Sequence, residues 1–205
     1  MKTDSEKTKR RYDRLAPYFD GLEGFLEGLF FSDWRKVLWA KVKGDHILEV
    51  GVGTGKNFPY YPDNTRITAL DFSEKMLERA KSKQQRNNVK VELELMDVQS
   101  LCYADNSFDT VIATFVFCSV PLPATGLQEL YRVCKPGGQV LLLEHVLSSK
   151  PMMSKMMQLI NPLIASVFGA NINRQTVKTV QSCGFEKVIL DPASRDMVKL
   201  IQAIK

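Results

Sequence analysis

Residues 45–55 have the sequence DHILEVGVGTG, and the fold of the chain follows from this stretch. Asp45–Val50 is a short apolar run that predicts a β-strand, and glycines at positions 51, 53 and 55 follow it at once. Glycine lets a backbone approach a ligand closely, and the helix start beyond such a loop favours negative charge. The stretch therefore predicts a strand that leads into a ligand-binding loop.

Strands and helices continue to alternate beyond this loop. Ser73 is a suitable N-cap for a helix that runs to about Gln84, and Lys135–Gly138 ends a helix predicted over Ala124–Cys134. Alternation of this kind predicts right-handed crossovers and a parallel sheet with helices on both faces. Further strands are predicted at Arg66–Asp71, Val89–Leu95, Phe108–Phe115 and Gln139–Leu147.

The C-terminal part departs from this alternation. A helix is predicted over Gln175–Ser182, and strands are predicted at Phe185–Leu190 and Met197–Ile204. Only six residues separate these two strands, which is too short for a helical crossover, so they should pair as an antiparallel hairpin. We expect an α/β fold with one Rossmann-like, seven-stranded sheet.

Composition excludes several classes of protein. The chain has 205 residues, of which 44% are hydrophobic and 25% charged, and its formal net charge is +5. These values are those of an ordinary globular protein, and no apolar run is long enough to predict a membrane span. The four cysteines form no C-x-x-C pair and only two histidines are present, so we expect reduced thiols, no metal site and a cytoplasmic protein.

The N-terminal region is predicted to be helical as far as residue 43. Pro17 and the glycines at positions 21, 24 and 28 predict its division into two or three helices. The first 14 residues carry six Lys or Arg against three Asp or Glu, which suits a solvated helix face, peripheral contact with an anionic membrane, an acidic ligand or nucleic acid. No apolar segment follows these charges, so we do not expect a secretory signal.

Two familiar glycine-loop motifs fit this chain poorly. A Walker-type phosphate loop needs glycine where Val50 stands and serine or threonine where Asn57 stands. A dinucleotide fingerprint needs a third glycine where Lys56 stands. A nucleotide triphosphatase and a nicotinamide-dependent dehydrogenase are therefore disfavoured.

The segment Glu49–Gly55 resembles the first motif of the class I S-adenosylmethionine-dependent methyltransferases. Asp71 ends the second predicted strand, where that family places the acid that accepts both ribose hydroxyls of the cofactor. Asp97 and Val98 follow the third strand, where the family places the acid that meets the adenine amino group. The resemblance runs from about residue 45 to the end of the chain, and it implies S-adenosylmethionine as the cofactor.

The same resemblance implies further contacts with the cofactor. Phe72 and Met76 are expected to enclose the adenine, with core packing as the alternative for both. Helix capping is the alternative role for Asp71, turn formation for Asp97, and loop ordering without ligand contact for Glu49. The expected cofactor site consists of Tyr12, Tyr18, Glu49, Gly51, Gly53, Thr54, Gly55, Asn57, Asp71, Phe72, Met76, Asp97, Val98 and Thr114.

Other segments resemble particular branches of the family. Residues 11–20 are similar to the entry helix of quinone C-methyltransferases and bacterial phospholipid N-methyltransferases, in which a tyrosine closes over the cofactor. This similarity implies a helical lid at residues 1–43, with Tyr12 or Tyr18 over the cofactor, on a methyltransferase domain at residues 44–205. Packing of the two aromatic rings is the alternative. Segments 114–120, 144–146 and 171–176 are similar instead to animal methyltransferase-like proteins that methylate small thiols.

The acceptor side of the site is predicted at the end of the fifth strand. His145 is the candidate general base there, and a histidine that satisfies loop carbonyls is the alternative. Its neighbour Glu144 should point to the opposite face. Residues 152–168 are rich in methionine and aliphatic side chains, which suit an apolar acceptor pocket or a core-facing helix. Cys118 lacks the preceding proline of a cytosine methyltransferase nucleophile, so we expect a buried thiol.

These observations predict methyl transfer from S-adenosylmethionine to a small, hydrophobic acceptor, which is a thiol or another small molecule. One alternative is a quinone or phospholipid methyltransferase that acts at the membrane surface, and another is a non-catalytic cofactor-binding module. No signature of DNA base methylation follows the fourth strand, so we expect no nucleic-acid partner. The oligomeric state stays open at this point.

Overall fold

The computed structural model describes residues 4–26 and 32–205, and it describes residues 18–26 through their backbone only. Within these ranges the chain forms six α-helices and seven β-strands. The helices are α1 (Asp4–Leu26), α2 (Ser32–Trp39), α3 (Glu74–Asn87), α4 (Pro123–Val133), α5 (Pro151–Phe168) and α6 (Thr176–Gln181). The strands are β1 (His46–Val50), β2 (Arg66–Asp71), β3 (Glu92–Leu95), β4 (Phe108–Thr114), β5 (Cys134–His145), β6 (Lys187–Leu190) and β7 (Val198–Ile204).

The seven strands form one sheet in the order β3-β2-β1-β4-β5-β7-β6. Strand β1 pairs in parallel with β2 on one side and with β4 on the other. The chain order therefore reverses between β1 and β4, and in sheets of this kind the crevice at that reversal holds the ligand. Strand β7 runs antiparallel to both β5 and β6, which confirms the predicted C-terminal hairpin.

Helices cover both faces of the sheet, as the alternation predicts. Leu38 of α2 packs against Ile47 on one face, and α3 covers the neighbouring part of that face. Leu127 of α4 and Val180 of α6 pack against Leu48 and its neighbours on the other face. The carboxyl ends of the strands remain uncovered by these four helices, and the cavity described below opens there.

The start of α3 follows the sequence prediction closely. Ser73 is its N-cap, and the Ser73 hydroxyl accepts a hydrogen bond from the Met76 backbone N–H at 3.2 Å. The helix ends at Asn87, three residues beyond Gln84, with Asn88 in the left-handed conformation as its C-cap.

The described N-terminal residues form two helices, α1 and α2, which agrees with the predicted division into two or three, but the predicted breaks at Pro17, Gly21 and Gly24 are wrong. Helix α1 is continuous from Asp4 to Leu26 and contains Pro17, whereas Gly28 lies outside the described residues. A proline inside a helix costs about 3 kcal/mol. Packing of α1 against α3 and α5 opposes that cost, and no sequence pattern reports such packing. Of the helices in the described ranges, none is long and apolar enough to cross a membrane.

Two strands also begin three or more residues away from their predicted starts. Strand β3 begins at Glu92 rather than Val89, because the left-handed cap at Asn88 and a hydrogen bond from the Gln84 amide to the Val91 carbonyl occupy the preceding residues. Strand β5 begins at Cys134, which pairs with Phe108 of β4 before a register irregularity. The turn-forming residues 135–138 are therefore part of a long, irregular strand.

Candidate functional site

A cavity of about 600 Å³ lies at the carboxyl ends of the central strands. Its volume falls within the roughly 300–1,000 Å³ that is usual for small-molecule sites. The glycine loop after β1 lines one side, and the ends of β2 and β4 line its floor. The rest of the lining comes mainly from the loops after β3 and β4, from α1, α3 and α5, and from Arg35 of α2 and His145 of β5.

The glycine loop has a backbone that other residues could not adopt without strain. Gly51 has φ +69°, and a Cβ on it would lie 2.4 Å from the Val116 side chain. Gly53 has φ +55°, and a Cβ there would project into open space. Gly51, Gly53 and Thr54 line the cavity, whereas Gly55 packs against the Phe58 ring outside the lining. The loop thus presents bare backbone to a ligand.

Asp71 connects the glycine loop to the start of α3. Its Oδ2 accepts a hydrogen bond from the Gly53 N–H and its Oδ1 accepts one from the Ser73 N–H, each at 2.9 Å. Burial raises the pKa of Asp71 to about 6, while the N–H groups of Ser73, Gly53 and Phe72 oppose that rise. The carboxylate orders the loop and the start of α3, and it also lines the cavity.

The other predicted adenine contacts gather beside Asp71. Phe72, Met76, Asp97 and Val98 all line the cavity. The Asp97 carboxylate also accepts a hydrogen bond from the Gln99 N–H at 2.9 Å, so the turn that was its alternative role is present as well. Three of these side chains are apolar and one is a carboxylate, and we call this part of the cavity the slot.

Helix α1 lies across this slot. The Tyr12 ring packs edge-on against Phe72, with 5.7 Å between the ring centroids, and it lines the cavity. The Ser73 hydroxyl donates to Asp13 at 2.6 Å, and the Gln99 amide donates to Ser5 at 2.9 Å. These contacts attach α1 to both sides of the slot. The Tyr18 side chain lies outside the described residues.

Glu49 lies behind the glycine loop in a buried polar network rather than in the cavity lining. It accepts hydrogen bonds from the Asn57 amide at 2.6 Å and from the Tyr61 hydroxyl. Asn57 also donates to Thr114 at 3.0 Å, and it accepts from Arg35 at 2.9 Å. Burial raises the pKa of Glu49, and the hydrogen bonds and Arg35 oppose that rise. Asn57 and Thr114 line the cavity and connect the network to it.

Arg35 is a site residue that the sequence prediction missed. It is buried, it lines the cavity, and its guanidinium lies 5.6 Å from the centroid of the Phe115 ring. Its position three residues before the buried Leu38 places a charge on the inner face of α2. In the sequence, the basic residue at a helix position where an apolar side chain is expected could have indicated Arg35.

The loop after β4 is held by Glu144. The Glu144 Oε1 accepts hydrogen bonds from the backbone N–H of Val116 at 2.8 Å and of Phe117 at 3.1 Å. Phe115 has φ +57°, an unfavourable backbone conformation for an aromatic residue. Burial raises the pKa of Glu144 to about 7, against the effect of these N–H groups. The sequence prediction assigned Glu144 no partner.

His145 lines the cavity, whereas Glu144, on the opposite face of β5, does not. Its ring stacks on Phe115 with 4.5 Å between centroids and an interplanar angle of 25°. Burial lowers the pKa of His145, and a hydrogen bond with the Met197 backbone opposes this effect. The imidazole is therefore neutral at neutral pH. Cys118 is buried as expected, and it also lines the cavity.

Helix α5 closes the cavity on the same side as His145. Its residues Ile164 and Phe168 line the cavity, together with Val116 and Val120 from the loop after β4. Ile164 and Phe168 are the two residues of the predicted methionine-rich segment that line the cavity, whereas its four methionines lie outside the lining. The cavity joins a polar, glycine-lined end to an apolar end that contains one imidazole.

Comparison with known proteins identifies the family. A family model described as a methyltransferase domain matches residues 48–142. The chain is 34% identical to a thiol S-methyltransferase of Homo sapiens, over 77% of this chain and 69% of that protein. It is 31% identical to a demethylmenaquinone methyltransferase of Lactobacillus johnsonii, over 79% of this chain and 71% of that protein. It is 38% identical to a phosphatidylethanolamine N-methyltransferase of Cereibacter sphaeroides, over 57% of this chain and 58% of that protein.

The structural comparison agrees with the fold. The crystal structure of an S-adenosylmethionine-dependent methyltransferase from Thermotoga maritima superposes with a TM-score of 0.70, at 18% identity, over 95% of this chain and 98% of that chain. The chain belongs to the class I S-adenosylmethionine-dependent methyltransferases, a family of enzymes that use this cofactor. It spans about three fifths of the length of several of the curated relatives that it matches.

Proposed function

We propose that this protein transfers a methyl group from S-adenosylmethionine to a small apolar acceptor, with a thiol as the first candidate. The observation that carries this proposal is that the glycine loop and the apolar wall around His145 line the same cavity. A donor held at the loop and an acceptor held at that wall would share one enclosed space. Alignment of two reactants and exclusion of water are the main needs of a methyl transfer.

The residues at the loop end of the cavity fit the cofactor. Gly53 leaves open space where a side chain would stand, and Asp71 places a carboxylate beside that space. Carboxylate oxygens can each accept more than one hydrogen bond, so Asp71 can hold the loop and accept from ribose hydroxyls as well. Phe72 and Met76 offer apolar surfaces for the adenine, and Asp97 offers an acceptor for its amino group.

Tyr12, Glu144 and His145 then have separate roles in the reaction. The bound cofactor supplies an electrophilic methyl group on a sulfonium. Tyr12 covers the slot and excludes water, and Glu144 holds the loop that separates slot and acceptor wall. His145, as a neutral imidazole, takes the proton that a thiol must lose before its sulfur attacks.

Two observations bear on the choice of acceptor. The similarity to a thiol S-methyltransferase over 77% of this chain supports a thiol. The apolar wall formed by Ile164 and Phe168 is equally suited to the hydrophobic part of a quinol or a phospholipid. The similarity to methyltransferases of both those substrates supports them as the second candidate.

A screen with methyl-labelled S-adenosylmethionine tests the proposal. The acceptors are a small aliphatic thiol, a phenol, a quinol and a phospholipid, and each is measured with the wild type and with Asp71→Ala. Label in the thiol that depends on Asp71 is the expected result. Label in the quinol or phospholipid alone would transfer the assignment to the second candidate.

The absence of any labelled acceptor would contradict the proposed activity. If the wild type nevertheless bound the cofactor in a calorimetric titration, the protein would be a cofactor-binding module without activity on these acceptors. The exposed Asp63 provides a matched control, because Asp63→Ala removes an acid without touching the cavity.

A further inference from the structure

Helix α5 carries a second apolar face that its packing does not use. Met152, Met156, Leu159, Leu163 and Val167 are spaced by four, three, four and four residues, so they lie within about 80° around the helix axis. Met152 is 87% exposed, Leu159 82% and Leu163 69%. We call these five residues the outer stripe. Exposed apolar stripes of this kind are typical of interaction surfaces.

The opposite side of α5 is fixed to the domain, so the outer stripe cannot be its packing face. Met157 and Asn161 are buried. The Asn161 side chain accepts from the Ile172 N–H at 2.8 Å and donates to Asn171 at 3.2 Å. These bonds set the rotation of the helix about its axis and leave the outer stripe facing away from the core.

Positive charge lies on α5 and on the helix that packs beside it. Helix α1 packs against α5, and the Arg11 side chain lies beside Gly169 at the end of α5. Lys7, Arg10, Arg11 and Arg14 lie within about 100° around the axis of α1, which places them on one side of that helix. Lys155 is exposed on α5 itself, and residues 151–168 contain no acid.

The acidic groups on the described side chains of α1 do not cancel this charge. They are Asp4, which pairs with Lys7, Asp13, which accepts from Ser73, and Glu6. Exposed cations remain at Arg10 and Arg14. The surface therefore combines an apolar stripe with a basic border, which is the pattern of helices that lie in the interface of an anionic bilayer.

We propose that the outer stripe of α5 and the basic side of α1 together dock this protein on an anionic lipid bilayer. A second copy of the chain fits this surface less well, because a two-fold interface on α5 would bring the two basic sides of α1 together. A bilayer supplies the apolar depth and the negative charge at once.

The two helices that carry this surface also line the cavity. Tyr12 and Leu15 of α1 and Ile164 and Phe168 of α5 line the same cavity, and Phe168 is also 47% exposed. Docking would therefore place the acceptor wall beside the lipid phase, where apolar acceptors concentrate. This supply of acceptor from the bilayer rests on the proposed function, whereas binding to the bilayer does not.

Vesicle flotation tests the docking surface directly. The probes are vesicles of phosphatidylcholine alone and of phosphatidylcholine mixed with phosphatidylglycerol, at low and at high salt. The wild type should bind the anionic vesicles at low salt and be released by salt. The double variant Leu159→Gln/Leu163→Gln should lose binding by about tenfold or more, because the apolar contact is removed. Arg10→Gln/Arg14→Gln should weaken binding to anionic vesicles only.

Leu190→Gln is the matched control, because Leu190 is an exposed leucine on β6, away from α1 and α5. It should bind vesicles like the wild type. Failure of the wild type to bind, or equal binding by the double variant, would overturn the docking proposal. A change of oligomeric state in the double variant, measured by light scattering, would assign the outer stripe to self-association instead. Calorimetric titration with S-adenosylmethionine in the absence of vesicles reports separately on the proposed function.

Discussion

Replacing Glu144 by glutamine should change how the stability of this protein depends on pH. Glu144 is fully buried, and burial raises its pKa from 4.5 to about 7. Between these two values the native protein holds a proton that the unfolded chain has released. The contribution of this group to stability is therefore fully present below a pH of about 4.5 and is lost as the pH rises through about 7.

The magnitude follows from the size of this pKa difference. One unit corresponds to about 1.36 kcal/mol. The free energy of unfolding of the wild type should therefore lose about 2 to 3 kcal/mol between about pH 5 and pH 8 through this group. Glutamine does not titrate, yet it keeps an oxygen for the N–H groups of Val116 and Phe117. The difference between wild type and variant thus isolates the carboxyl group.

Urea unfolding of both proteins at about pH 5 and about pH 8 measures this difference. The wild type should lose about 2 to 3 kcal/mol relative to Glu144→Gln at the higher pH. Glu78→Gln, which changes an exposed glutamate on α3, should leave the difference from the wild type nearly independent of pH. An equal difference between wild type and variant at both pH values would show that Glu144 has the same pKa in the folded and in the unfolded state.

Two further predictions concern the cavity. His145→Ala should lower turnover by about 10²–10⁴-fold and leave cofactor affinity nearly intact. The loss of turnover should shrink as the pH rises, because the acceptor then ionises by itself. Near wild-type turnover of the variant at neutral pH would show that His145 has a structural role only. Tyr12→Ala, or deletion of residues 1–20, should weaken S-adenosylmethionine binding by about tenfold in calorimetry, because the slot loses its cover. Arg10→Gln, on the exposed side of α1, should leave the affinity unchanged. Equal affinities of wild type and Tyr12→Ala would show that α1 is not a lid over the cofactor.

The elements that place the site could be predicted from the sequence because local patterns determine them. The apolar run before Gly51, the acid at the end of β2 and the Ser73 cap each depend on near neighbours along the chain. The C-terminal hairpin followed from the length of the connection between its two strands. Period-two alternation likewise placed Glu144 and His145 on opposite faces of β5.

The features that escaped prediction depend on contacts between distant parts of the chain. Helix α1 continues through Pro17 because it packs on α3 and α5. Arg35 reaches Asn57 only after α2 has docked on the sheet, over a separation of 22 residues. The partners of Glu144 are backbone N–H groups, which every residue carries, so no residue type indicates them. Hydrogen-bond networks of this kind become visible only in the folded structure.

Calorimetric titration with S-adenosylmethionine tests whether this protein binds the cofactor at Asp71. The wild type and Asp63→Ala should bind one equivalent with equal affinity. Asp71→Ala should bind about a hundredfold more weakly, since hydrogen bonds to a charged group contribute about 1.5–3 kcal/mol each and a tenfold change is about 1.4 kcal/mol. Thermal unfolding confirms that each variant is folded before titration. No binding by the wild type, or equal affinity in folded Asp71→Ala, would show that Asp71 does not hold the cofactor.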